Sequence, residues 1–505
     1  METFVARRRG WTRCRPALVG AVCALLAVAV LCGAVRAERA DEVDLGNIAR
    51  IIHELSLPAY AGRLTGTDGN WAAVEYVADR FKRLGLASPD GLDGYLQPYV
   101  QPTRLMHSPP RLEILDASGS VMRQFKFITQ FSPSTAPGCR ISGEVTALGV
   151  ILERVDDIDK VRGEAVLLVP MHLAGNPTAI EAIMKRVAGS FGAGQAQILG
   201  VILEIDTAGR GYFPVSPFVA PGAALADQGD GGRQSAAELT ENEPMIFTCD
   251  RPTFAELAAR SAATPAATTT TNATATATAA SAAHSPSGAI RMSADYSVEP
   301  VRTANVVGMI EGGERHLIIG AHLDHVGSNM DGTYNPGAMD NASGVAAMIE
   351  IARVLSANPV RPQLTVVFVA FNGEEQSMYG SRHYVSEPCL PLGHAAMVNI
   401  DTVGSPRGVL LQIENASGHD TELVRDLCSA AAQLGIGFRK SASSGTDHSS
   451  FANAGVAAAN LIQPDFAGGY HGPGDTADGV DPGRVAEVVR LVLAYIRTAK
   501  TAPLD

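Results

Sequence analysis

The sequence predicts an α/β protein: a mostly parallel mixed sheet flanked by helices and interrupted by a small β-rich insert. Three observations predict it. From about Ala304 onward, apolar strand-like runs alternate with helical stretches, the pattern of a parallel sheet covered on both faces. A second group of apolar runs occupies residues 130–260, and the Ala/Thr-rich segment Ser261–Ser287 separates the two groups. With 505 residues, 46% of them hydrophobic, the chain can bury a core in each of two or three domains.

In chain order, the first 37 residues read as an export segment. Arg7, Arg8, Arg9, Arg13 and Arg15 precede the apolar run Ala17–Val35, and Val35-Arg36-Ala37 offers small residues for cleavage after Ala37. The run also approaches bilayer-spanning length. Residues 1–37 are therefore either a cleaved signal or an N-terminal membrane anchor, and either places the folded part outside the cytoplasm. Residues 46–130 open that part. Val74, Val77, Ala78, Phe81 and Leu84 fall at helical spacing, and Gly85 supplies a stop, so a helix is expected over about Asn70–Leu84. Within 131–260, strands are expected at Ala165–Val169 and Ile198–Leu203, with a helix at Ala179–Ala188 between them. Residues 261–288 offer little to bury and read as a linker or surface loop. In 289–500, strands are expected at His316–Gly320, Leu364–Phe371, Ala396–Ile400, Val409–Ile413 and Ala457–Ile462. Helices are expected at Ser343–Leu355 and Glu422–Leu434.

Composition excludes one class of partner. The formal charge of −12 argues against nucleic acid, whose phosphates require clustered Lys and Arg. Four of the seven cysteines, Cys139, Cys249, Cys389 and Cys428, lie beyond the export segment, with no C-x-x-C pair among them, which argues against a thiolate zinc site. In an oxidising compartment Cys139–Cys249 and Cys389–Cys428 are the pairings to test, with buried thiols as the alternative.

Chemistry concentrates at the carboxyl ends of the strands in 289–500, where ligand sites of parallel sheets lie. His316–Gly320 runs into His322-Leu-Asp324, and Leu364–Phe371 runs into Asn372-Gly-Glu374-Glu375. Ala396–Ile400 ends at Asp401, and Ala457–Ile462 leads through a Gly-containing loop to Tyr470-His471. Gly337-Ala-Met-Asp340-Asn-Ala-Ser-Gly344 precedes a helix. Imidazole plus carboxylate without thiolate suits a catalytic zinc site. Two metals about 3.5–4 Å apart need a bridging carboxylate and share a hydroxide able to attack a carbonyl. In a Glu-Glu pair, one member can ligate metal while its neighbour takes a proton from water.

These motifs, in this order, resemble those of co-catalytic zinc aminopeptidases, within a superfamily that includes glutamate carboxypeptidases and transferrin receptors. The resemblance covers most of 46–130 and 290–500. It implies a zinc exopeptidase fold and two Zn2+ ions, one held by His322 and Asp401 and the other by Glu375 and His471, with Asp340 bridging. Glu374 would be the general base, and Asp324 would orient His322 through its second ring nitrogen. Lys160-Val-Arg-Gly163, Gly200-Val-Ile-Leu203 and Pro244-Met-Ile-Phe247 resemble an inserted protease-associated domain. The implied activity is hydrolysis of a residue from a peptide end, the N-terminal one in an aminopeptidase.

Taken singly, each signal has a plainer reading. His322-x-Asp324 alone is a hydrogen-bonded pair, Asp340-Asn341 a helix cap, Glu374-Glu375 a solvated pair. Their joint occurrence at successive strand ends carries the argument. His325, His383, His394 and His419 match no motif role. Asp447-His448 resembles a segment near the active site of such enzymes, which leaves His448 a substrate-side role rather than a ligand's. A carboxypeptidase, a dipeptidase, a single-zinc glutaminyl cyclase-like enzyme and an inactive receptor-like homologue remain alternatives. Side-chain specificity and oligomeric state are not legible.

Overall fold

The computed structural model describes residues 42–134, 139–190, 196–206, 243–263, 288–329, 332–358, 362–416, 421–465 and 469–498. The export segment and all but the ends of the Ala/Thr-rich linker lie outside the described residues. Among the described residues, no helix is long and apolar enough to cross a membrane.

The strands are β1 (Leu96–Leu115), β2 (Val121–Gln124), β3 (Phe131–Pro133), β4 (Ser142–Ile151), β5 (Gly163–Val169), β6 (Ala196–Glu204), β7 (Met245–Cys249) and β8 (Ala262–Ala263). Then follow β9 (Ala289–Ile310), β10 (His316–His322), β11 (Thr365–Phe371), β12 (Ala395–Asp401), β13 (Leu411–Asn415), β14 (Phe438–Ala442) and β15 (Ala457–Ile462). The main path runs β14-β13-β15-β12-β10-β11-β9-β4-β5-β6-β7-β3. Strands β11, β10, β12 and β15 are mutually parallel, and β9 and β13 flank them antiparallel, giving the expected mostly parallel mixed sheet.

Alternate residues of each central strand feed opposite cores, as a pleated strand requires. On β11, Val366, Phe368 and Ala370 join the larger core under helices Leu45–Leu55, Asp68–Leu84, Ser343–Ala357 and Pro482–Thr498. Val367, Val369 and Phe371 join Tyr384 and Phe451 on the other face. Helix Asp68–Leu84 is the one foreseen: the Thr67 side chain accepts from Asn70 N at its start, and Gly85 ends it in the left-handed region.

Residues 142–249 build a second unit. Strands β4, β5, β6 and β7 are parallel, and helix Pro177–Ser190 lies between β5 and β6 in sequence, so the described part of the insert combines a parallel sheet with helices. Its core takes Met106, Leu112 and Ile114 from β1 and Ile290, Met292 and Ala294 from β9. The join is thus a long two-stranded ribbon: β1 and β9 pair from Leu96–Val306 to Leu115–Ala289, one end in each unit.

Neither candidate disulfide is formed: Cys139, Cys249, Cys389 and Cys428 are unbridged thiols, the alternative that the sequence left open. The reason is topological. Cys139 and Cys249 belong to cores on opposite faces of the second sheet, and Cys389 and Cys428 to cores on opposite faces of the first.

Candidate metal centre

Strand register brings the sequence motifs to one edge. His322 pairs with Phe371 across β10–β11, and Asp401 with Ile462 across β12–β15, so the following residues emerge together. All five expected ligands meet there. Asp340 stands between two clusters: its Oδ1 lies 3.2 Å from His322 Nε2, and its Oδ2 lies 3.2 Å from His471 Nε2. His322 Nε2 is also 3.2 Å from Asp401 Oδ1, and His471 Nε2 is 2.9 Å from Glu375 Oε2. The donor set is imidazole and carboxylate, each group able to present an oxygen or nitrogen to a cation, which fits zinc.

The segment around Asp340 is held by its neighbours. The Asn341 side chain donates to Ile400 O and accepts from Gly344 N and Thr402 N, tying the start of helix Ser343–Ala357 to the end of β12. Ser343 Oγ donates to Met339 O and accepts from Val403 N. A Cβ on Gly344 would stand 2.3 Å from Ile400 O, so only glycine permits this approach. Thr402 Oγ1 donates to Asp401 Oδ1. Asn341 and Ser343 are both fully buried in this linkage.

The Glu374-Glu375 turn is anchored from afar. Asn372 donates through Nδ2 to Ala304 O and accepts from Asn70 Nδ2, while Tyr99 Oη donates to Asn372 O. Asp324 lies beneath the turn, its Oδ1 and Oδ2 accepting from Glu374 N and Glu375 N at 3.2 and 3.3 Å. This corrects the expectation for Asp324. Its carboxylate, committed to those two amides, stays 3.9 Å from His322 Nδ1, and its backbone carbonyl at 3.2 Å is the nearer partner of that nitrogen.

The site is strongly electronegative. Burial works against a charged His322, yet Asp401 and Glu374 hold its pKa well above the ordinary value. His471 is likewise pushed up to about 10 against burial, chiefly by Glu375. Burial favours the neutral acid in Glu375, but His471 draws its carboxyl down to about 2. Glu374 is raised well above the ordinary carboxylate range by burial, with Asp401, Asp447 and Glu375 adding to it. A field that protonates imidazoles also attracts divalent cations.

Four further residues belong to the site that motif reasoning did not assign. His325 is fully buried, with Nδ1 2.8 Å from Glu375 Oε1 and 4.0 Å from Asp340 Oδ2. Asp475 accepts from Met339 N and Asp340 N with its two oxygens. Arg63, fully buried, donates to the carbonyls of Leu55, Leu323, Pro336 and Gly337, clamping the loops that carry His322 and Asp340. Asp447 is fully buried, and burial raises its pKa to about 7. His448 beside it is occupied structurally, its ring nitrogens 2.9 Å from Thr446 Oγ1 and 3.0 Å from Ser443 O. The signals available were the His322-x-x-His325 spacing and an acid four residues after His471. His383 packs on Tyr99, away from the clusters.

Beside Asp340 lies a cavity of ≈ 140 Å³ lined by Met339, Thr402, Pro406, Arg407 and Tyr470 among others, with Arg407 ion-paired to Asp465.

Comparison with known proteins places this geometry. Residues 305–496 match the family described as Peptidase family M28. Aminopeptidase YwaD of Bacillus subtilis (strain 168) is 31% identical over 194 residues, 36% of this chain and 41% of that protein. A "Probable zinc metalloprotease" of Pyrenophora teres f. teres (strain 0-1) is 37% identical over 114 residues, 21% of this chain and 24% of that one. The chain thus spans about a quarter to two fifths of the length of these curated relatives. Among solved structures, an aminopeptidase from Aneurinibacillus sp. strain AM-1 superposes with a TM-score of 0.63 at 19% identity, covering 92% of this chain and 96% of that one. BSAP, a zinc aminopeptidase from Bacillus subtilis, gives a TM-score of 0.56 at 19% identity over 91% and 95%. At these identities the likeness is one of fold, and its coverage includes both units of the sheet.

Proposed function

We propose that the chain, whose residues 305–496 match peptidase family M28, is a zinc-dependent exopeptidase that removes N-terminal residues from peptides. The observation that carries this reading is the placement of Asp340, whose two oxygens face two separate His/carboxylate clusters, with Glu374 belonging to neither. Two zinc ions are assigned: one to His322, Asp340 and Asp401, the other to Asp340, Glu375 and His471. When bound, they supply Lewis-acid polarisation of the scissile carbonyl and acidify the attacking water.

The remaining work falls to the protein's own groups. Glu374 takes a proton from water and passes it to the leaving amine. Burial and the neighbouring acids keep its affinity for that proton high, as a group that must accept and then donate requires. Asp324 fixes the Glu374 and Glu375 amides, holding base and ligand in one register. The surplus of acids favours an α-ammonium over a C-terminal carboxylate, and Arg407 is already engaged by Asp465. These points, with the aminopeptidase names of the relatives, support the N-terminal direction. The ≈ 140 Å³ cavity beside Asp340 is assigned to the substrate's terminal side chain. The export segment assigns the enzyme to a location outside the cytoplasm, released or anchored.

The test is Glu374→Gln with zinc content measured alongside hydrolysis of aminoacyl-nitroanilides. Retained zinc with hydrolysis reduced by about 100-fold or more is expected from loss of a general base. Retained zinc with undiminished hydrolysis removes Glu374 from its role. Wild-type hydrolysis insensitive to chelators removes the metal reading.

A further inference from the structure

We propose that His325 is a sixth protein ligand, making the centre asymmetric, with four protein donors around one zinc and three around the other. This rests on the dinuclear reading above and deepens it.

Each cluster receives an imidazole from the same short loop. His322 Nε2 faces Asp340 Oδ1 and Asp401 Oδ1, whereas His325 Nδ1 faces Glu375 Oε1 at 2.8 Å and Asp340 Oδ2 at 4.0 Å. His471 Nε2 approaches the same two carboxylates from another side, 3.2 Å from Asp340 Oδ2 and 2.9 Å from Glu375 Oε2. One ligand atom from each of His325, Asp340, Glu375 and His471 lies within 4.8 Å of the others. The two rings stand 5.5 Å apart at 78°, so the imidazoles reach the gap edge to face without stacking. Four protein donors face this gap, whereas three, His322, Asp340 and Asp401, face the other.

The ring is held in place. His325 is fully buried, its backbone N donates to Arg63 O, and a Cβ on Gly337 would stand 2.5 Å from its Cγ. The backbone of the loop after Pro336 therefore packs flat against this imidazole.

The asymmetry has a consequence. The four-donor position would hold zinc more tightly than the three-donor position. A crystal structure of the zinc-loaded protein, with anomalous data at the zinc edge, tests the assignment. Two zinc ions are expected, one with His325 Nδ1 at about 2.0–2.1 Å. Two zinc ions, both more than 3 Å from His325 (roughly beyond any zinc–nitrogen bond), overturn the proposal and leave the dinuclear reading standing. No zinc between the clusters overturns both. Competitive zinc titration of His325→Gln gives a second readout. One zinc is expected to weaken by more than about 100-fold, beyond the roughly 10–100-fold that loss of an outer hydrogen-bond partner costs. The other zinc is expected to hold as in the wild type. Equal weakening of both, or of neither, overturns the proposal.

Discussion

Replacing Asp475 by Asn probes how the bridging position is held without touching a ligand. Asp475 Oδ1 accepts from Met339 N at 2.8 Å and Oδ2 from Asp340 N at 3.0 Å, both buried. An asparagine keeps one acceptor and turns its NH2 toward the other amide, so one of the two bonds is lost. A hydrogen bond to a charged group contributes about 1.5–3 kcal/mol, and a buried donor left unsatisfied costs about 1–3 kcal/mol. Taking the loss as about 1.5–3 kcal/mol, at about 1.4 kcal/mol per factor of ten, zinc affinity should fall roughly 10–100-fold. The part of the loss already present without metal should appear as a lower unfolding midpoint of the zinc-free protein. Competitive titration with a zinc-chelating dye reads the first quantity and thermal unfolding the second. Unchanged zinc affinity together with an unchanged midpoint would refute the view that Asp475 sets the position of Asp340.

Two other outcomes follow from groups around the site. Arg63→Met removes the donor to four buried carbonyls and should destabilise the fold by about 3–5 kcal/mol in urea unfolding; an unchanged midpoint would show that those carbonyls find other partners. In the zinc-free protein the pKa of His471 rises from 6.5 to about 10, so the stability this brings is complete below pH 6.5 and is lost as pH rises through 10. The melting temperature of zinc-free protein should therefore fall across that window. Zinc-loaded protein should not show this fall, because ligated imidazoles are already neutral; parallel melting curves for the two forms would contradict it.

The parallel strands were legible because they are short apolar runs that end abruptly in polar residues: β10 in His322, β12 in Asp401, β11 just before Asn372. The same feature exposed the ligands, since a parallel sheet collects its carboxyl ends at one edge. The ribbon of β1 and β9 was not legible. Pro98, Pro102, Pro109, Pro110 and Pro300 interrupt its apolar alternation, and the register shifts between Met106 and Arg111 accommodate two of them. With the ribbon unseen, its contribution to both cores was hidden. Asp324 was placed in the site for the wrong contact, because sequence spacing relates it to His322 but says nothing of amides fifty residues away. His325, Arg63 and Asp475 were missed for the same reason: their partners are loops brought together only by the tertiary fold.

The central claim is that Asp340 joins two metal positions in one centre. The number of zinc ions per chain, measured by elemental analysis after exhaustive dialysis of zinc-loaded wild-type protein, tests it most directly. The account predicts two per chain. One zinc per chain, or none, would contradict it.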